Sequence, residues 1–123
     1  PIISNIIKSN VEHLNWTVEQ LLSLKNNNNL EKIVLVGAAF KENTDDLRNS
    51  PTLDIYKILD DMGVQVSILD PEIEVPNHNN VSSVEHVDSK SLIAIMYPLN
   101  DDLDKKLLDH SSQNDCIIFY PWR

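Results

Sequence analysis

Two short runs constrain this chain most: Lys32 to Gly37 (KIVLVG) and Leu92 to Tyr97 (LIAIMY). Neither alternates polar with apolar residues, so each reads as a strand buried on both faces. Such strands need helices above and below them, and the intervening sequence supplies helix signals. Ser50-Pro51 is a helix start with a cap and a first-turn proline, and Asp54 suits the dipole of the first turn. Leu53, Tyr56, Leu59 and Met62 form the helix stripe, and Gly63 ends it. Val64 to Leu69 reads as a second strand closed by Asp70-Pro71, followed by an irregular polar loop from Glu72 to Asn80. Val81 to Val84 is a candidate third strand, Asn100-Asp101-Asp102 caps a helix to about His110, and Cys116 to Phe119 forms the last strand before Pro121. Strands alternating with helices imply an α/β fold with a doubly wound parallel sheet.

Ahead of this unit lies an amphipathic stretch. Ile2, Ile3, Ile6, Ile7, Val11, Leu14, Val18, Leu21 and Leu22 follow helical spacing, and Pro1 suits a first turn. One helix of that length would extend about 35–40 Å. Either it is a connecting or dimer-forming helix whose apolar face needs another chain or domain, or it folds back as two helices with Asn15 capping the second. Asn26 to Asn29 mark a turn or linker, because Asn competes for backbone hydrogen bonds and tolerates left-handed conformations. With 2 Gly in the chain, Asn is expected to take much of the left-handed turn work. The expected division is therefore a helix over 1–25, a linker over 26–31 and an α/β domain over 32–123.

Composition narrows the function classes. The 123 residues fit one domain, and 10 Lys+Arg against 19 Asp+Glu leave a net charge of −9. That balance argues against nucleic-acid or anionic-membrane partners, which call for a basic surface. No apolar run is long enough to span a bilayer. The single cysteine, Cys116, excludes an internal disulfide framework and a Cys-based zinc site. It lies beside an apolar run and reads as a buried packing residue. The expectation is a soluble cytoplasmic domain, and the opening Pro1 in place of Met suggests a fragment.

Chemistry concentrates in one loop. Ligands of open parallel sheets bind at the carboxyl edge near the switch point of strand order. There the sequence runs GAAFKENTDDLRNSP, Gly37 to Pro51, longer than the roughly 2–6 residues usual between a strand and a helix. It holds Lys41 and Arg48, a point charge and a planar fork that together suit a phosphate or carboxylate. They equally suit bracing the loop against Glu42, Asp45 or Asp46. Gly37 is followed by Ala38 and Ala39, so the G-x-G-x-x-G of a dinucleotide site is missing. Asp70 stands where an acid would take a ribose hydroxyl, but without those glycines it reads as a strand-ending turn, and NAD binding by this chain alone is not expected. His13, His78, His86 and His110 lack ligand spacing and read as surface residues, with no metal site. Trp16 and Trp122 read as packing groups.

The segment Val34 to Pro71 closely resembles a domain of the UDP-glucose/GDP-mannose dehydrogenase family, its C-terminal, nucleotide-sugar-binding one. The shared pattern is a strand, G-x-(A/S)-F-K-x-x-T-D-D-x-R-x-S-P, a helix, G-x-x-V and a strand ending in Asp-Pro. Matching positions are Gly37, Ala39, Phe40, Lys41, Thr44, Asp45, Asp46, Arg48, Ser50, Pro51, Gly63, Val66, Asp70 and Pro71. The amino-terminal helix resembles the end of the family's central helix.

The resemblance implies a Rossmann-like domain of an NAD-dependent enzyme that oxidises C6 of a nucleotide-sugar from alcohol to acid with two NAD, making polysaccharide precursors. An N-terminal half would bind NAD and carry a catalytic cysteine that forms a thiohemiacetal and then a thioester; the central helix would build a homodimer. Carried over by position, Lys41 contacts the nucleotide-sugar, Arg48 reaches toward NAD, and Thr44, Asp45 and Asp46 support the loop. No catalytic residue is assigned within this chain, which on this reading is inactive alone. Two stretches depart from the family. Tyr120-Pro121-Trp122-Arg123 replaces a common Asp-Gly-Arg, and Met96 to Asp101 (MYPLND) replaces a Thr- or Trp-containing stretch. The competing reading is a stand-alone, non-catalytic binding or dimerisation module of the same fold.

Overall fold

A computed structural model describes residues 2–38, 50–97 and 99–121, the first eleven of these by backbone alone. The elements are α1 (Ile2–Asn27), β1 (Lys32–Val36), α2 (Pro51–Asp61), β2 (Val66–Leu69), a 3₁₀ turn (Val84–His86), β3 (Ser91–Ile95), α3 (Asp101–Gln113) and β4 (Ile117–Phe119). The four strands form one sheet in the order β2-β1-β3-β4, and every pairing is parallel. In register, Val34 lies beside Ser67 of β2 and Ile93 of β3.

Alternate residues of each strand feed two separate cores, as a sheet covered on both faces requires. Ile33 and Leu35 of β1, Leu92 and Ala94 of β3, and Val66 and Ile68 of β2 pack with Ile55 and Leu59 of α2 and Val18 and Leu21 of α1. Val34 and Val36, Ile93 and Ile95, and Leu69 face the other way, against Leu107 of α3 and Val84 and Val87 around the 3₁₀ turn. Burying such a side chain contributes about 1.5–3 kcal/mol. The continuous apolar runs are thus two interleaved faces.

The amino-terminal stretch is one continuous helix, as expected, and the alternative fold-back is set aside because Asn15 is an exposed mid-helix residue that caps nothing. Three local expectations are corrected. Strand β2 starts at Val66, because Val64 N–H closes α2 on Leu59 O (3.0 Å) while Gly63 N–H takes Asp60 O (3.0 Å), a Schellman end with Gly63 at φ +80. Val81–Val84 is no strand. There Ile68 bridges Asn80 alone, and the Asn80 side chain holds the Val75 N–H and the Val75 and His78 carbonyls, drawing the backbone into a turn. Trp16 is 43% exposed and stacks on His13 instead of packing in a core. The expected helix cap at Asn100 is present, its side chain accepting from Leu103 N–H at 2.8 Å, and α3 runs on to Gln113. Left-handed conformations at Asn29 and Asn77 match the turn work expected of Asn.

Candidate functional site

Strand β1 lies between β2 and β3, and the chain leaves it toward α2 on one face while leaving β3 toward α3 on the other. The carboxyl ends of β1 and β3 therefore flank the switch point, where a parallel sheet opens a crevice. Gly37 and Ala38 follow β1 there; Met96 and Tyr97 follow β3. Gly37 adopts φ +96, a conformation that favours glycine.

Three side chains fix this turn. Asp70, just beyond β2, accepts from Ala38 N–H through Oδ2 at 2.8 Å. Its Oδ1 accepts from Glu72 N–H (2.8 Å) and Ile73 N–H (3.3 Å), which makes the strand-ending turn expected from Asp-Pro. Ser50 Oγ donates to Ala38 O at 2.5 Å, and Thr52 Oγ1 donates to Gly37 O at 2.6 Å. Ser50 occupies the N-cap position of α2 without capping it, which corrects the cap expected of its side chain. Ala38, Ser50 and Thr52 are all buried.

The expected site residues Lys41, Thr44, Asp45, Asp46 and Arg48 lie outside the described residues, in 39–49. What the structure describes is the frame on either side of them. The Ser50 and Thr52 ties were not foreseen, since a hydroxyl ahead of a helix-starting proline reads first as a cap. An apolar cavity of about 320 Å³ opens at the same edge, lined by Leu14, Thr17, Pro51, Ile55, Met96 and Tyr97. A second hollow, of about 370 Å³, lies at the amino ends of the strands near the ion pair of Lys32 with Asp88.

Both Asp70 oxygens accept from backbone amides, and the turn carries one glycine, Gly37, followed by Ala38 and Ala39. Among the described residues no group of three or more His, Cys, Asp or Glu is placed to hold a metal ion. His13 and His86 are exposed, whereas His78 and His110 are half-buried against the Pro76 and Val87 carbonyls. Cys116, expected to be buried, is half-buried, and partial desolvation raises its thiol pKa above the ordinary value, outweighing a backbone hydrogen bond from Ser91. A thiol so disposed is poorly suited to nucleophilic attack.

Residues 34–105 match the UDP-glucose/GDP-mannose dehydrogenase family, UDP binding domain. The chain belongs to this family. It is 30% identical over 105 residues to the GDP-mannose 6-dehydrogenase of Azotobacter vinelandii, covering 85% of this chain and 23% of that protein. It is 35% identical over 75 residues to the UDP-glucose 6-dehydrogenase TuaD of Bacillus subtilis (strain 168), covering 61% of this chain and 16% of that protein. The chain thus spans about a quarter or less of these dehydrogenases. In fold it is similar to the UDP-N-acetyl-mannosamine dehydrogenase Cap5O from S. aureus, with a TM-score of 0.64 and 20% identity over 88% of this chain and 30% of that one. Family membership and the parallel sheet agree with the resemblance carried by the Gly37–Pro51 and Asp70-Pro71 motifs. No described helix is long and apolar enough to cross a membrane.

Proposed function

We propose that this chain is the nucleotide-sugar-binding domain of an NAD-dependent nucleotide-sugar 6-dehydrogenase. The observation that carries the reading is the clamped Gly37–Ala38 turn, at the switch point of a chain matching a UDP binding domain. From that turn the sequence runs directly into Phe40-Lys41 and returns through Arg48. Lys41 neutralises a phosphate of the nucleotide-sugar as a point charge, Arg48 reaches toward NAD with a fork suited to phosphate, and Thr44, Asp45 and Asp46 support the loop.

The reaction takes a C6 alcohol to a uronic acid. Four electrons leave as two hydrides, each accepted by one NAD, and one water supplies the second carboxyl oxygen. The glycine fingerprint and the nucleophilic thiol belong to an N-terminal half outside this chain, and the 123 residues by themselves are inactive. Helix α1 continues into the central helix of a homodimer, the protein works in the cytoplasm, and its product feeds polysaccharide synthesis.

The test is NAD reduction by the full-length chain supplied with UDP-glucose or GDP-mannose. The reading expects two NADH per sugar oxidised and no turnover by residues 1–123 alone. Absence of nucleotide-sugar-dependent NAD reduction by the full-length chain would overturn it.

A further inference from the structure

We infer that the β4 edge of the sheet, with Leu108 of α3 beside it, is a surface on which a second copy of this chain pairs strand to strand. The inference stands apart from the nucleotide-sugar reading and uses none of its residues.

The two edges of the sheet are treated differently. At β2, Ile68 donates its N–H to Asn79 O (2.8 Å) and its carbonyl accepts from Val81 N–H (2.8 Å), while the Asn79 side chain reaches Val66 O (3.4 Å). The turn after β2 thus closes that edge. Among the described residues β4 pairs with β3 alone, which leaves a row of backbone groups on its outer side. Its sequence does nothing to blunt that row, since Cys116 to Tyr120 (CIIFY) holds no charge, proline or glycine. Ile117 and Phe119 pack against one core and Ile118 against the other. All three are nonetheless half-buried, whereas Leu92, Ile93 and Ala94 beside them in β3 are fully buried.

Leu108 extends this surface. Two residues of α3 bond to the β4 segment: the Asp104 carboxylate accepts from Tyr120 O–H (3.0 Å), and the Ser111 carbonyl accepts from Cys116 N–H (3.2 Å). Leu108 lies four residues after the first and three before the second, so it shares their side of the helix. It is 49% exposed, while its neighbour Leu107 is fully buried against the sheet.

A row of backbone groups flanked by apolar side chains fits an extended strand, and β4 itself meets that description. About a two-fold axis two β4 strands run antiparallel, which joins two sheets into one and brings α3 near its copy with Leu108 at the seam. With Ile118 on the axis, Ile117 stands opposite Phe119 of the copy, a favourable pairing of β-branched and aromatic side chains. Charge points the same way. Copies that each carry −9 repel one another, and they meet at least cost along an uncharged strip. A three-residue strand and one side of a helix make a small contact, so the expected Kd is about 10–100 µM.

Sedimentation velocity of the full-length chain between about 1 µM and 1 mM reads this pairing. The mean mass should climb toward twice its low-concentration value, and climb sooner at high salt, because screening weakens repulsion between like-charged copies. Leu108→Asp should weaken the association at least about 10-fold, and Gln113→Ala, on another side of α3, should change it less than about 2-fold. Hydrogen exchange of the outward amides of Ile117–Phe119 should slow with concentration in the wild type and stay fast in Leu108→Asp. Thermal unfolding checks that the variants are folded, and Leu108→Ser takes the place of Leu108→Asp should the latter not fold.

A mass independent of concentration overturns the inference, as does a Leu108→Asp chain that associates like the wild type. Outward β4 amides already protected at the lowest concentration overturn it too, because another segment of the same chain then covers this edge.

Discussion

Gly37 and Tyr97 meet across the switch point of the sheet: a methyl group built on Gly37 would lie 3.0 Å from Tyr97 Cδ2. The ring thus covers the backbone of β1 just where it turns into the loop. Gly37 is required twice over, by its φ of +96 and by the nearness of Tyr97.

The two glycines of the chain should respond differently to alanine. Gly63, at φ +80, has nothing within 4 Å of a built Cβ, so Gly63→Ala costs only backbone strain, about 1 kcal/mol. Gly37→Ala adds the ring contact and should cost about 2–4 kcal/mol. Denaturant unfolding of both variants checks this, and Tyr97→Ala in the Gly37→Ala background should recover only the contact part.

Asn100→Ala removes the acceptor of Leu103 N–H at the start of α3. The expected loss is about 1 kcal/mol, read as a lower denaturant midpoint with an unchanged slope. Asn100→Asp should retain the cap, though it adds a charge beside Asp101, Asp102 and Asp104.

Partial burial raises the Cys116 pKa, so at neutral pH less of it is thiolate than in an unfolded chain. Its alkylation in the folded 123-residue chain should be slower than in the same chain in denaturant, and the folded rate should climb at higher pH. The linkage follows in sign. The thiol's contribution to stability is fully present below the unfolded pKa and is lost as pH rises through the raised folded value. Alkylation rates across pH, folded and unfolded, check both.

Leu35 is fully buried in the core shared with α1 and α2. Leu35→Ala should cost about 2–5 kcal/mol through lost burial and the cavity left behind. The exposed Lys32–Asp88 pair offers the contrast, since Lys32→Ala should change stability by less than about 1 kcal/mol. Paired unfolding curves measure both.

The strands of the sheet were legible because burial on both faces leaves no room for polar residues in Ile33–Val36 or Leu92–Met96, and flanking Pro, Gly and Asn mark the turns. Val81–Val84 misled because four residues cannot show that the Asn80 side chain captures the backbone just before them. Ser50 misled for a different reason. Its position signals a cap, and only the fold brings Ala38 O nearer to its hydroxyl. Gly37 and Tyr97 follow the neighbouring strands β1 and β3 and are separated in sequence by α2, β2, the 3₁₀ turn and β3, so no local pattern joins them. Asp70 was legible as a turn, but its second oxygen could be assigned only once β2 lay beside β1.

The most direct measurement of the central claim is kcat/KM of the full-length chain for its nucleotide-sugar, with Lys41→Ala and Arg48→Ala beside the wild type. Each variant should lose about 10²-fold or more, as expected for a charged contact worth roughly 3 kcal/mol. Near-wild-type kinetics in both variants would contradict the assignment of this domain's loop to the nucleotide-sugar site.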